Sequence, residues 1–378
     1  MERLKIGVIC YPSLGGSGVV ATELAIKMAA KGHEIHFITS SLPFRYSEPQ
    51  ENIFFHEVRI DGYAVFKYPP YDIALANRIG QVIEEKQLDL LHVHYAVPHA
   101  VSAVLAKDMV QSDIGIITTL HGTDVTILGH DPALRNPVKY GIDKSDITTA
   151  VSDSLRAETL ELIEPNKDII TIYNFIDEDT YHPVEAGSLR EEFGIDRHEK
   201  VIIHISNFRS VKRIPDLIRA FAKIVAKVPA KLLLVGEGPE MPRIRRLVDM
   251  LGVTEHVLFT GKRHDLPELL SFSDVMVLPS EKEAFGLVLL EGFACGVPAV
   301  GTTAGGIPEV IEEGINGYLV PVGDPVAIAE KTLHILMDDE IHQMMKNNAL
   351  ATVKGKFSSE TIVSQYENLY YKLQKKEC

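Results

Sequence analysis

The sequence predicts an α/β protein of two doubly wound, Rossmann-like domains facing a central cleft. Three observations predict it. Apolar runs rich in β-branched residues are followed by glycine turns and then by helical periodicity, the rhythm of a parallel sheet. That series restarts at VIIHISNF, residues 201–208, so two series of similar length follow each other. The 378 residues suit two domains better than one.

The first strand is KIGVICYP, residues 5–12. A glycine loop follows, then a helix over 18–30 closed by Gly32. EIHFITSS is the second strand. The loop between them matches G-x-G-x-x-A at Gly16, Gly18 and Ala21, the dinucleotide fingerprint. That motif expects an acid at the end of the second strand, where this chain has Thr39, Ser40 and Ser41. NAD is therefore set aside. What remains is a loop whose backbone approaches a ligand closely at a sheet edge.

FFHEVRI (54–60) reads as a strand, and 63–87 as a proline-broken loop and a helix. LDLLHVHYAVPHA carries a strand and then His92, His94 and His99. No cysteine or clustered acid completes a metal set, so these read as structural or substrate-facing groups. In 114–129 an apolar strand runs straight into His121, Gly122, Thr123 and Asp124. Open α/β sheets bind ligands at such a mouth; a helix cap by Thr123 or Asp124 is the plainer alternative. ITTAVS is a further strand. Residues 167–181 carry a strand and a polar turn that reads as the hinge, and 185–200 a charged surface helix and loop.

The second series runs through VIIHISNF, the helix LIRAFAKIVAKV, KLLLVG, the turn EGPE, a helix, VLFTGK and DVMVLP. Between its first strand and helix lies SNFRSVKR, with Arg209, Lys212 and Arg213, a basic loop in a chain of formal net charge −14. Lys262 and Arg263 follow another strand end. The tail, 361–373, places Ile362, Tyr366, Leu369 and Leu373 at helical spacing. The expected division is an N-terminal domain over 1–172, a hinge over 173–184 and a C-terminal domain over 185–355. A terminal helix within 356–378 packs back on the N-terminal domain.

The working centre falls at 280–310, where a helix over 286–294 stands between Glu283 and Glu291. Dipole complementation and a solvated face would explain two such acids. Yet Glu291 sits in GLVLLEGFACG, where a carboxylate without hydrogen bonds would be costly. On one helix the two would lie about 12 Å apart along the axis. Glycosidase carboxylate pairs lie roughly 5–9.5 Å apart. One extended ligand held at two points fits better, its phosphates over the helix N-terminus beyond Gly286. Arg209 and Lys212 would share those phosphates, Glu291 would hold ribose hydroxyls and Glu283 a second polyol. A nucleotide sugar has that shape.

Composition limits the alternatives. The net charge argues against nucleic acid and anionic membranes. No run approaches the length of a membrane span, and no leader is evident at the N-terminus. Cys10, Cys295 and Cys378 are scattered and odd in number, which reads as reduced thiols in a cytoplasmic protein.

The GGSG loop, the HGTD turn, the basic loop and the E-x7-E stretch, in this order along the whole chain, resemble retaining glycosyltransferases of the GT-B architecture. CYPSLGGSGVVATEL, HYAVPHA, TTLHGTD, YNFID, SNFRSVKR and EAFGLVLLE look most like members that move N-acetylglucosamine from UDP-GlcNAc to the hydroxyl of L-malate, opening bacillithiol biosynthesis.

The resemblance implies roles. Glu291 would bind the uridine ribose, and Glu283 the sugar hydroxyls. Phe285, Gly286 and the backbone at Leu287 and Val288 would frame the diphosphate with Lys212. Gly261, Lys262 and Arg263 would line the uracil pocket, Gly16 the phosphates, and His121 the donor sugar. His121, Glu283 and Lys212 would be catalytic. Many relatives carry an Arg five residues before the Lys; here that position is Asn207, with Arg209 nearby, and the diphosphate contact falls to one of the two. Acceptor contacts would come from Ser17, Tyr95, His121, Thr123, Asn174 and Arg209. No cofactor and no metal are implied, and homo-oligomers stay open. The rivals are a transferase with an inositol phosphate or sugar acceptor, a UDP-GlcNAc 2-epimerase, and a non-catalytic nucleotide-sugar sensor. The sensor would not need His121 or Glu283.

Overall fold

The computed structural model describes residues 3–12, 16–43, 50–60, 70–186 and 188–375. Gly15 of the first glycine loop, most of the proline-broken loop before Tyr71, and Cys378 lie outside them. The chain divides into two compact units: unit 1 is Met1–Asn174 with Ser359–Cys378, and unit 2 is Phe175–Ser358.

Unit 1 carries β1 (Lys5–Ile9), β2 (Glu34–Thr39), β3 (Ile53–Glu57), β4 (Leu90–His94), β5 (Gly115–Leu120), β6 (Ile147–Ala150) and β7 (Ile170–Thr171). Its helices are α1 (Gly16–Ala30), α2 (Tyr71–Lys86), α3 (Val101–Met109), α4 (Thr123–Thr126), α5 (Arg135–Lys144) and α6 (Asp153–Ile163). Unit 2 carries β8 (Lys200–Ile205), β9 (Ala230–Val235), β10 (Val257–Gly261), β11 (Val275–Leu278), β12 (Ala299–Thr302) and β13 (Gly317–Val320). Its helices are α7 (Leu189–Glu192), α8 (Ile214–Val225), α9 (Met241–Met250), α10 (Leu266–Ser271), α11 (Leu287–Ala294), α12 (Ile307–Val310), α13 (Pro325–Met337) and α14 (Asp339–Lys356). The last helix, α15 (Ser359–Gln374), returns to unit 1.

Both sheets are wholly parallel and share one logic. The orders are β3-β2-β1-β4-β5-β6-β7 and β10-β9-β8-β11-β12-β13. Each is the Rossmann order, with a switch point between the first and fourth strands of the unit. Parallel strands are covered on both faces, so they read as continuous apolar runs rather than alternating ones. Val201, Ile202 and Ile203 of β8 are fully buried, as are Leu232, Leu233 and Leu234 of β9. Helix α8 shows the complementary pattern. Ile214, Leu217, Ile218, Phe221 and Ile224 fall on one face and join the unit 2 core. Burying Phe221 alone contributes roughly 1.5–3 kcal/mol.

Several elements differ from expectation. Helix α1 opens at Gly16, two positions early. The charged helix over 185–200 is a single turn, α7, closed by Gly194 at φ +64°. Strand β7 is two residues long.

Candidate active site

In unit 2 most candidate groups gather at the switch point, while Gly261, Lys262 and Arg263 stand at the end of the edge strand β10. At the end of β8, His204 Nδ1 donates to the Val277 carbonyl of β11 (2.8 Å), leaving Nε2 to accept the Ser206 hydroxyl (2.8 Å). Burial lowers this imidazole to about 4, so it is neutral at pH 7. The basic loop that follows is fastened to the loop after β11. Glu281 N donates to the Val211 carbonyl, 2.9 Å. Arg213, in the left-handed region at φ +48°, pairs with Asp216 (2.6 Å) and Glu281 (2.9 Å). Lys212 Nζ meets Glu283 Oε2 at 2.5 Å, both half-buried. Asn207 and Arg209 are exposed, and Arg209 makes no ion pair among the described residues.

Glu283 is positioned from behind by the glycine turn after β12. Gly306 N donates to the Glu283 carbonyl, 3.0 Å. A Cβ on Gly305, at φ +53°, would stand 1.9 Å from that carbonyl oxygen. Only glycine lets the two loops approach so closely. The turn GGIPE is visible in the sequence, but its backbone contact with Glu283 is not.

Gly286, at φ +94°, starts α11 without a side-chain cap. The first-turn N–H groups, those of Leu287 and Val288 among them, find no partner within the helix, and the positive end of its dipole points the same way. Phe285 is buried edge-on against Phe357, 5.7 Å between centroids. Glu291 is buried at 7% exposure on the same helix, as the apolar surroundings predict. At the end of β10, Gly261 adopts φ +68° and Lys262 is exposed. Arg263 is occupied: both its Nε (2.8 Å) and a terminal nitrogen (2.5 Å) meet the Asp265 carboxylate. That guanidinium holds Asp265 below the usual carboxylate range. Of the two cations that the resemblance places beside the uracil, Arg263 is thus already paired and Lys262 is exposed.

In unit 1 the candidate groups also lie at the switch point. Gly16 and Ser17 open α1 after β1. Tyr95 follows β4 at φ +84°, uncommon for an aromatic residue, and its phenol donates to Ser17 Oγ, 2.9 Å. His121, Gly122 and exposed Thr123 follow β5. The HGTD turn is organised by its last residue. Buried Asp124 accepts the N–H of Gly122 (3.0 Å) and of Ala96 (3.3 Å), joining the loops after β5 and β4. Burial pushes its carboxyl up to about 6 against those hydrogen bonds. Asp124 is thus a loop organiser rather than a cap, and spacing alone does not distinguish the two. Asn174 is the last, buried residue before unit 2 begins.

The histidines noted on β4 are buried and hydrogen-bonded, forming a column with His121. His92 stacks on His94 at 4.4 Å and His94 on His121 at 5.1 Å between centroids. His94 Nδ1 lies 2.8 Å from His121 Nε2. Burial lowers His92 and His121 to about 3 and His99 to about 4, so the cluster is neutral at pH 7. Among the described residues no three His, Cys, Asp or Glu side chains come together as a metal site. The Asp-x-Asp of this chain, Asp177 and Asp179, lies in the turn after β7, where Asp177 takes the Thr180 hydroxyl. Cys10 and Cys295 are free and buried, their thiols pushed up to about 12. No described helix is long and apolar enough to cross a membrane.

Unit 2 thus presents a lysine, uncapped helix N–H groups and two carboxylates, a set suited to a diphosphate and sugar hydroxyls. Unit 1 presents neutral imidazoles, hydroxyls and a phenol. Residues 186–352 match the family model for group 1 glycosyl transferases, and residues 14–180 that for Glycosyltransferase Family 4. The chain resembles a glycosyltransferase from Rickettsia africae (TM-score 0.84, 21% identity, 99% of each chain). It also resembles Anabaena HepE in complex with UDP and glucose (TM-score 0.83, 21% identity, 98% of this chain and 100% of that one). It is 57% identical over 369 residues to the N-acetyl-alpha-D-glucosaminyl L-malate synthase of Bacillus anthracis, covering 98% of this chain and 97% of that protein. The chain belongs to the GT-B glycosyltransferases, in the family that includes that synthase.

Proposed function

We propose that this enzyme transfers N-acetylglucosamine from UDP-GlcNAc to the hydroxyl of L-malate, with retention at the anomeric carbon. The observation that carries the reading is the Lys212–Glu283 pair beside the uncapped start of α11, in a chain so close to a malate synthase over its whole length. The reading brings with it a cytoplasmic setting, in which the buried thiols stay reduced.

In this reading Lys212 and the N–H groups of Leu287 and Val288 receive the diphosphate. Glu283 turns to the sugar hydroxyls, Glu291 to the ribose, and the backbone at Gly261 and Lys262 to the uracil. The bond from the anomeric carbon to the β-phosphate oxygen breaks, and the electron pair leaves with UDP. Lysine and helix end stabilise the charge as it builds; losing one such group costs about 10²–10³ in rate. The malate hydroxyl oxygen bonds to the anomeric carbon from the same face, and its proton passes to the departing phosphate oxygen. Ser17, Tyr95, Thr123 and Asn174 serve malate, and Arg209 supplies an unpaired cation for a carboxylate.

Mass spectrometry of the products from UDP-GlcNAc offered L-malate, other hydroxy acids, inositol phosphate and simple sugars tests the acceptor. An α-linked malate glycoside is expected. UDP-ManNAc appearing without any acceptor would mark a 2-epimerase instead, and preference for inositol phosphate would retire malate.

A further inference from the structure

We propose that His94 is a positioning residue: its Nδ1–H, donated to His121 Nε2, fixes His121 as a neutral ring whose Nδ1–H is free to donate to the ligand. The proposal rests on the reading above for the relevance of His121 to transfer, but the hydrogen-bond argument stands on geometry.

Two neutral imidazoles joined by one N···N hydrogen bond, here 2.8 Å, share one proton in it. If His121 donated, His94 would carry its own proton on Nε2. That atom is buried and has no partner among the described residues. An orphaned buried N–H is rarer and costlier than an unmet acceptor. The favoured arrangement is therefore His94 Nδ1–H to His121 Nε2. His121 Nε2 is then spent as an acceptor, and its proton sits on Nδ1.

The residues behind His94 hold it in place. His99 Nδ1 lies 2.6 Å from the His94 carbonyl, so it must carry the proton and donate. That bond fixes the backbone where Tyr95 turns to positive φ. On the other side His92 stacks on His94 and is anchored from α15. Tyr370 Oη is 2.7 Å from His92 Nδ1, and His92 Nε2 is 2.8 Å from Thr119 Oγ1. The buried phenol has His92 as its acceptor, so His92 donates in turn to Thr119. Each proton in the column is thereby assigned, starting from a residue of the terminal helix.

Three variants of His94 separate tautomer control from packing. His94→Phe keeps a ring in the stack and removes the donor. His94→Gln places its amide nitrogen at the Nε2 position. His94→Asn places an N–H as many bonds from Cα as Nδ1 and should restore the contact. Nitrogen NMR of ¹⁵N-histidine-labelled full-length protein, with His121 assigned by difference against His121→Gln, reads the tautomer directly. In the parent protein His121 is expected to be protonated at Nδ1. In His94→Phe and His94→Gln the proton should redistribute to Nε2, with kcat falling at least about tenfold, the scale of lost supporting contacts at other sites, and with UDP affinity unchanged. His94→Asn should keep the Nδ1 proton and most of kcat. Tyr370→Phe should show the same changes in weaker form. A His121 protonated at Nε2 in the parent, or untouched by His94→Phe, overturns the proposal. A shifted tautomer with full kcat also overturns it, by removing His121 from the reaction. Should the parent protein not glycosylate malate at all, the substrate reading fails, while the nitrogen shifts still decide the tautomer.

Discussion

Units 1 and 2 order their strands alike and place most of their candidate groups at the same switch point, yet the groups differ in kind. In unit 2 they are charged, Glu291 buried and the others half-exposed or exposed, with Lys212–Glu283 and Arg213–Glu281 paired across short loops. In unit 1 they are neutral imidazoles, His92, His94 and His99 buried and His121 half-buried, beside the buried carboxyl of Asp124. One topological position serves two strategies. Charge meets charge where a diphosphate is to be held. Desolvated hydrogen bonds set direction where a hydroxyl is to be aimed. The ion pair in unit 2 also gives each partner a counter-charge before any ligand arrives. Ligand binding would then exchange one pairing for another instead of uncovering bare charges, which cost most where they are least hydrated.

The largest expected effect breaks the charged half. Glu283→Ala should reduce turnover by about 10²–10³, the range for loss of one preorganised polar contact, with the fold retained. Near-normal transfer, measured beside an unchanged circular dichroism spectrum, would refute the role of Glu283. Lys212→Met should lose a similar factor and, unlike Glu283→Ala, should weaken UDP binding in calorimetry. Gly305→Ala comes next. Its Cβ would collide with the Glu283 carbonyl at 1.9 Å from a left-handed backbone position. A loss of about 1–3 kcal/mol of stability is expected, read as a lower Tm of unit 2 together with reduced kcat.

Acid should separate the units. His92, His99 and His121 have folded pKa values of about 3 to 4, below the ordinary 6.5. Between pH 6.5 and those values the unfolded chain binds protons that the folded unit 1 refuses. Stability therefore falls as pH drops through that window, by up to about 1.4 kcal/mol per group and pH unit. Asp124, raised to about 6, acts oppositely between about pH 4 and 6 but is a single group. In unit 2 burial lowers His204 in the same way, to about 4, one such imidazole against those three in unit 1. Peptide-mapped proteolysis at pH 7 and pH 5 should show unit 1 opening first; simultaneous opening would contradict the contrast. The smallest effect is expected from Arg263→Gln. Its guanidinium already belongs to Asp265, so activity should change less than about threefold, with about 1 kcal/mol or less lost from a partly exposed pair.

The parts of the fold visible in the sequence are those whose pattern outweighs local accidents. Strands β8, β9 and β11 are continuous apolar runs, and α8 repeats its apolar face over three turns. Short elements escape such reading: β7 has two residues and α7 four, too few to establish a period. Helices α13 and α14 carry capping aspartates, Asp324 and Asp338, that a closer look at punctuation would find. In the candidate site the residue types were legible and their pairings were not. Glu283 and Lys212 are 71 positions apart, and only the strand order makes them neighbours. The same holds for Tyr370 and His92, separated by 278 positions. Arg263 shows the converse: its partner Asp265 is two residues away and could have been anticipated from sequence.

The return of α15 to unit 1 carries a consequence for synthesis. On the ribosome the strands of the first sheet emerge first, but the helix that meets His92 emerges only after all of unit 2. Unit 1 therefore spends the translation of Phe175–Ser358 with Tyr366 and Tyr370 still missing and its histidine column uncovered on that side. Unit 2 has no such wait, since its whole sheet is continuous in the chain. A chain ending at Ser358 and released from the ribosome would carry the whole of unit 2 joined to a unit 1 that lacks its last buried phenols.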